Sequence, residues 1–407
     1  MSIQITSRER LLTAINCQKP DHIPLSFMIF SALRDRLKNL QGEDLMKSDI
    51  ETQIELGLDA FIDLRHYYPD TEQIGHTDAQ GMPVRFDEHV IASEWAETLP
   101  DSSYPTLHKE YNTPSGNLSV AVNKTDDWPY YGTESGGYLV PFMDDFLEPR
   151  CRKFLVEDRK DLDALKHLLI PPTNEDLKLC FESWEHGRNL ANKHDLLLAG
   201  GWGVGSDALA WFCGHERIIF MALENPAFLH DLLDMIHQWN MPRMQSFLDF
   251  GVDLFIRRAW YEGTDFWSPD LFREFFYPVI KEEIQQVHNA GAKYGYILTS
   301  GSMLLHEMLL ELDIDVLIGV DPVQGKGTDM VKMKDELKER ICLWGGVNGF
   351  VTVEMGSRQE IDDAVYQAIE SLGPDGFILS PVDNIRDPSE EVWEKVLMMI
   401  ESWNKYK

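Results

Sequence analysis

Among the residues of this chain, Glu262 has the surroundings best suited to proton transfer. It stands in Arg257-Arg-Ala-Trp-Tyr-Glu-Gly263, directly after the apolar run Asp253-Leu-Phe-Ile-Arg257. A carboxyl beside Trp260 and Tyr261 in a partly apolar setting can have a raised pKa and act as acid or base. The competing assignment is a salt bridge from Glu262 to Arg257 or Arg258. Further on, Tyr294-Gly-Tyr-Ile-Leu-Thr-Ser-Gly-Ser302 offers hydroxyls at Tyr296 and Ser300 that can hydrogen-bond a substrate. No histidine adjoins them to turn a serine into a nucleophile. Glu262, Tyr261 and Tyr296 are therefore the candidate catalytic residues.

Three later runs end in polar residues: Asp321-Pro-Val-Gln324, Gly345-Gly-Val-Asn348 and Ser380-Pro-Val-Asp-Asn384. If each follows a strand, Asp321, Asn348 and Asp383 face one polar pocket. Gly200-Gly-Trp-Gly-Val-Gly205 matches neither a dinucleotide fingerprint nor a P-loop, and reads as a tight turn with Trp202 lining the pocket or packing on its rim. With Trp260, Arg257 and Ser300, these make up the candidate substrate-binding set. His230 and His237 are seven apart on a helical stretch and fit no zinc signature, and His306 reads as a structural residue of a helix.

Positioning such a set requires strands whose ends converge. Strand-like runs recur at 22–27, 59–64, 196–200, 253–257, 293–297, 316–320, 341–344 and 376–379, separated by helical stretches. Thr6-x-x-Glu9 and Ser357-x-x-Glu360 are capping boxes, and Asn225-Pro226, Ser268-Pro269 and Asp387-Pro388 each place a capping residue before a helix-starting proline. Eight βα units with no early G-x-G-x-x-G turn predict a (β/α)₈ TIM barrel with an N-terminal helix, in which chemistry sits at the strands' C-terminal ends. From 67 to 138 short alternating runs such as Met82-Pro-Val-Arg-Phe86 and Leu118-Ser-Val-Ala-Val122 predict an antiparallel insertion within a single domain spanning 1–407.

The 407 residues carry a net charge of −31, which repels nucleic-acid phosphates and anionic lipid and leaves a basic patch on a protein partner as the favoured counterpart. Five scattered cysteines without a C-x-x-C pair argue for a reducing compartment. The charged first ten residues lack the apolar core of a signal peptide, and the expected location is the cytoplasm, without membrane attachment.

These strand ends, with Arg8-Glu-Arg-Leu-Leu-x-Ala-Ile15, Pro20-Asp-x-Ile-Pro24, Gly319-Val-Asp-Pro-Val-Gln324 and Leu343-Trp-Gly-Gly-Val-Asn348, resemble the uroporphyrinogen decarboxylase superfamily from Ser7 to about Trp403. The resemblance implies a (β/α)₈ barrel with chemistry in its mouth, and leads to haem-pathway decarboxylases or to methyltransferases that work with a corrinoid protein. The decarboxylases hold tetrapyrrole carboxylates on an arginine-rich loop after the first strand. Here that loop is Phe27-Met-Ile-Phe-Ser-Ala-Leu33, with no cation before Arg34. The thiol methyltransferases carry zinc on His-x-Cys-Gly after the fifth strand and a cysteine after the eighth; the matching positions are Leu298, Ser300 and Asp383, which lack those donors.

The resulting expectation is a methyltransferase that passes a methyl group from a methyl ether or methylamine to a corrinoid (cobalamin) on a partner protein, since the chain has no D-x-H-x-x-G corrinoid motif. Glu262, Tyr261 or Tyr296 would protonate the leaving group. A decarboxylase of a small carboxylic acid, clamped by Arg257 or Arg258, is the alternative, and a catalytically silent binding barrel is another.

Overall fold

The structure, a computed structural model, describes residues 5–69, 77–78, 80–98, 100, 102–129, 140–337 and 339–407. Eleven strands occur among the described residues. They are β1 (Phe61–Asp63), β2 (Ile91–Glu97), β3 (Thr106–Thr113), β4 (Gly116–Asn123), β5 (Cys151–Lys153), β6 (Leu197–Gly203), β7 (Leu254–Arg258), β8 (Lys293–Ile297), β9 (Val316–Val320), β10 (Cys342–Asn348) and β11 (Phe377–Val382). The chain forms two compact units: Met1–Tyr67 with Trp184–Gly201 and Phe247–Lys407, and Tyr68–Ser183 with Trp202–Ser246.

The first unit is built on a seven-stranded sheet in the order β1-β6-β7-β8-β9-β10-β11. Its recorded pairings, such as Phe61 with Leu197, Arg257 with Tyr296 and Trp344 with Ile318, are all parallel. β9 and β10 are buried at every residue, as expected of strands covered on both faces. The sheet is curled. Phe61 of β1 meets Trp344 of β10 edge-on with ring centroids 5.5 Å apart, although four strands separate theirs in the order.

The expected first strand, 22–27, is reduced to a single bridge. Leu25 pairs in parallel with Leu379 of β11, the Asp59 N–H donates to the Leu25 carbonyl at 2.8 Å, and Leu379 N–H donates to the Pro24 carbonyl at 2.9 Å. Pro24 has no N–H to give, which limits how far this segment can extend a ladder. The other seven runs became β1 and β6 to β11 with ends shifted by a few residues at most, and β8 and β9 match the expected bounds.

Helices fill the connections. Both capping boxes form, starting Ser7–Ile15 and Arg358–Leu372, and Ser268 caps Pro269–Phe275 through the Leu271 N–H. The last helix corrects an expectation: Ser389, not Asp387, caps Glu390–Tyr406, because its hydroxyl reaches the Val392 N–H. Among the described residues no helix is long and apolar enough to cross a membrane.

The second unit contains the antiparallel sheet β2-β3-β4-β5. It extends beyond the expected 67–138 excursion, since β5 and the helix Pro226–Phe250 as far as Ser246 belong to it. Leu118–Val122 lies in β4 as expected, whereas among the described residues 82–86 makes the isolated bridges Thr77 to Pro83 and Arg85 to Ile170 and no strand. The Tyr67–Tyr138 run includes 70–76, 79, 99, 101 and 130–138, which lie outside the described residues. Arg243 is fully buried in this unit, donating to Gln80 at 2.6 Å and to the Asp78 carboxylate.

Candidate functional site

A narrow cleft of about 30 Å³ opens in the first unit, beyond the C-terminal end of β1. One wall is apolar: Phe27, Met28 and Phe30 from the segment after the Leu25 bridge, Phe61 of β1, and Met46 and Ile50 of the helix Gly42–Glu55. The other is polar and comes chiefly from Asp63-Leu-Arg-His-Tyr67, which leaves β1 as a short 3₁₀ turn. Asp63 caps that turn, accepting from the Arg65 N–H at 3.1 Å and from its Nε at 2.8 Å. Arg34 enters from the helix Ser31–Arg36 and donates to His66 Nε2 at 3.4 Å. It also faces Asp49, 3.5 Å away, whose other oxygen accepts from Gln53 at 2.9 Å.

The electrostatics follow from this crowding. Burial, then the neighbouring Arg65 and Arg34, hold the His66 imidazole well below its ordinary pKa, so it is neutral at pH 7. With Nε2 accepting from Arg34, its proton sits on Nδ1. Burial, opposed by Asp63 and reinforced by Arg34 and Arg258, pushes the Arg65 guanidinium down to about 10. Burial raises Asp49 despite Arg34. Tyr67 is raised by burial and by Asp49 and Asp63, and its hydroxyl is buried without a hydrogen-bond partner.

The residues singled out in the sequence gather elsewhere. Phe255 pairs with Tyr294 and Arg257 with Tyr296, so these four side chains share a face of the sheet. The helix Tyr277–Asn289 covers it: Glu283 accepts from Arg257 Nη1 at 2.6 Å and from the Tyr294 hydroxyl at 2.8 Å. Glu262 reaches the same place, accepting from Arg257 Nη2 and from the Tyr296 hydroxyl, each at 2.6 Å. The expected proximity of Glu262 and Tyr296 is therefore present. The surroundings, however, are a fully buried ion-pair network in contact with a helix, the salt-bridge arrangement. Burial works against the charge of Arg257, yet Glu262 and Glu283 raise its pKa well above the ordinary value. Alternation along β7 sends Arg258 to the opposite face, where it lies over the Trp260 ring at 4.6 Å.

Asp321 and Asn348 do come together. Asp321 Oδ1 accepts from the Val323 and Gln324 N–H groups, while Asn348 Nδ2 donates to Asp321 Oδ2 and to Gln324 Oε1, each at 2.7 Å. Asn348 Oδ1 accepts from the Val351 N–H at 2.6 Å. The pair thus ties the loops after β9 and β10 to one another. Ser300 donates to Asp265 and accepts from the Lys326 N–H, and Thr264 N–H donates to the Gly301 carbonyl, which links the loops after β7, β8 and β9. Tyr261 meets Phe266 edge-on, and its carbonyl accepts from Trp267. Asp383 has a left-handed φ of 69° and pairs with Arg386 at 3.2 Å. Trp202 lies in the second unit, fully buried, with φ 55°.

The positions Leu298, Ser300 and Asp383 do not fit a zinc centre: Leu298 offers no donor, and the Ser300 hydroxyl is engaged with Asp265. Among the described residues no group of three or more His, Cys, Asp or Glu is placed to hold a metal ion.

None of the catalytic and binding candidates borders the cleft, whose polar wall went unread in the sequence. The signal was available, since Asp63-Leu-Arg-His-Tyr67 directly follows the second expected strand, and strand ends are where a barrel carries its chemistry.

Residues 137–405 match the family described as uroporphyrinogen decarboxylase (URO-D). No curated protein matches the sequence. Among solved structures, a methyltransferase from Methanosarcina mazei superposes with a TM-score of 0.58 at 15% identity, over 99% of each chain, a likeness of fold. A B12-independent methionine synthase from Shewanella sp. W3-18-1 gives a TM-score of 0.43 at 11% identity, covering 94% of this chain and 97% of that one.

Proposed function

The chain belongs to the uroporphyrinogen decarboxylase (URO-D) family, and on that premise we propose that it moves a methyl group from a small methylated substrate, a methyl ether or methylamine, to a corrinoid carried by a partner protein. The observation that carries this reading is the wall formed by Phe27, Met28 and Phe30, all buried and all facing the cleft. Apolar side chains there suit a methyl group and give no purchase to the several carboxylate arms of a tetrapyrrole.

A reduced corrinoid supplies the nucleophile that accepts the methyl group, so the chain needs no nucleophile of its own. Its residues bind and orient the substrate, keep water from the methyl group, and provide a proton or hydrogen bond to the departing heteroatom. Tyr67 and His66 line the cleft, whereas Glu262 is committed to Arg257 and the Tyr296 hydroxyl to Glu262. The reading includes a closed (β/α)₈ barrel, supported by the Leu25 segment standing between β11 and β1. It also includes a cytoplasmic setting, supported by five free cysteines.

One observation favours decarboxylation of a small carboxylic acid as a second reading: Arg34 borders the cleft and can meet a carboxylate, a part the sequence had given to Arg257 or Arg258. The test is to mix the purified protein with cobalamin reduced to Co(I) and single methylated compounds, following the absorption spectrum. Formation of methylated corrinoid that depends on protein and compound is the expected result. Release of CO₂ from a carboxylic acid, with no corrinoid methylation, would replace the first reading by the second.

A further inference from the structure

We propose that the cleft beyond β1 is a site for a single carboxylate group, held by Arg34 and His66, and that the methylated substrate is accordingly a small monocarboxylic acid. The reaction rests on the methyl-transfer reading, whose substrate class this narrows; the carboxylate site rests on the cleft alone.

Arg34 turns only Nη1 towards the protein, with His66 Nε2 at 3.4 Å and Asp49 at 3.5 Å. Among the described residues its Nε and Nη2 meet no acceptor. His66 accepts through Nε2, so its proton sits on Nδ1, which likewise has no acceptor among the described residues. Neither side chain is sealed off. Arg34 is 20% exposed and His66 27%, and both line the cleft. A planar guanidinium fork with a second N–H donor beside it matches the two oxygens of a carboxylate.

The charges at the cleft favour the same occupant. Arg65 leaves the same turn as His66, and both Arg34 and Arg258 press on its charge. The carboxylates at hand are engaged: Asp63 accepts from Arg65 Nε, and Asp49 accepts from Gln53 while facing Arg34. An incoming anion is therefore attracted, whereas a methylammonium compound with no carboxylate of its own is repelled by Arg34.

Size limits the acid. The free space of about 30 Å³ admits about two water-sized groups, which is the room that one carboxylate takes. A second acidic arm finds no place there, and the methyl-bearing end of the substrate lies along Phe27, Met28 and Phe30.

The experiment is a saturation-transfer NMR titration of the full chain with two acids, methoxyacetate and N,N-dimethylglycine, each beside its alcohol, 2-methoxyethanol and 2-(dimethylamino)ethanol. Formate serves as the carboxylate alone. At least one acid should bind the wild type about tenfold or more tightly than its alcohol and more tightly than formate. Arg34→Gln should weaken that acid about tenfold, the loss of a charged hydrogen bond, and leave the alcohol unchanged. Should Arg34→Gln fail to fold, the comparison of acid with alcohol on the wild type decides alone. Alcohols that bind as well as the acids, equal affinity of a folded Arg34→Gln, or formate binding as tightly as either acid would each overturn the proposal, the last by leaving a site for free anions only. The corrinoid assay separates the two claims. Acid binding that depends on Arg34 without corrinoid methylation leaves the carboxylate site standing and removes methyl transfer, whereas methylation from the alcohols alone does the reverse.

Discussion

Arg257 and Arg258 are neighbours in the chain and point to opposite faces of β7, which decides what each can do. Arg257 lies between the Glu262 and Glu283 carboxyl groups, which also accept from the Tyr296 and Tyr294 hydroxyls. Removing the cation is then worse than removing one anion. Arg257→Met should cost about 3–5 kcal/mol, as breaking a buried pair does. Glu262→Gln keeps the Arg257–Glu283 pair and should cost nearer 1–2 kcal/mol, the scale of a weakened hydrogen bond. Urea unfolding of both variants checks the order. Loss of corrinoid methylation by Glu262→Gln at an unchanged unfolding midpoint would return Glu262 to the part of proton donor. The sequence could not make this distinction, because a parallel strand buried on both faces shows no alternation, and nothing marks which face carries the helix. The contact between Glu262 and Tyr296 was legible; its side of the sheet was not.

Elements were easier to read than residues. β9 coincides with expectation because it is a short apolar run bounded by Asp315 and Asp321, and β8 also keeps its expected ends, while the Leu25 segment fell short because Pro24 interrupts its ladder. The Asp63–Tyr67 turn, which gives the cleft its polar wall, is hidden in the sequence because it runs straight into the change of pattern at Tyr67. Loop linkage could not be foreseen at all, because it depends on Asn348 reaching two loops at once. Asn348→Ala should leave the Asp321 carboxylate and the Val351 N–H short of partners, lower stability by about 1–3 kcal/mol and loosen 321–328 and 349–355 together. Hydrogen exchange read by mass spectrometry should show faster uptake in both segments; a change in one alone would mean that the loops are held independently.

Charge acts on the whole molecule. With a net charge of −31, like charges repel across the folded surface, and screening them should stabilise it. The melting temperature should therefore rise between about 20 and 200 mM NaCl, where the screening length shortens from tens of ångströms to about 10 Å or less; a flat or falling profile would show that attractive pairs outweigh the excess. Protons act separately. Burial and Arg10 lower His22 from 6.5 to about 4, and burial with Arg65 and Arg34 holds His66 well below 6.5. Both histidines take up protons in the unfolded chain before they do so in the folded one, so their contribution to stability is full above pH 6.5 and is lost between there and about 4. Urea midpoints at pH 7.5 and 5 should show the fall, and His22→Gln should reduce it.

The Leu25 bridge also sets the order in which this protein can be made. Residues 23–26 emerge early from the ribosome, yet Leu25 pairs with Leu379, the Ser26 carbonyl accepts from the Trp344 ring N–H, and the Ile23 carbonyl accepts from the Trp403 ring N–H. More than three hundred residues must follow before the first of these contacts is available, and the Trp403 contact spans 380. Until then the opening segment has only its contact with Asp59 beside β1, and its other edge stays unpaired. Folding of the first unit is therefore a late event in synthesis, and nascent chains stalled before residue 377 should be cut by protease within their first sixty residues while released chains resist.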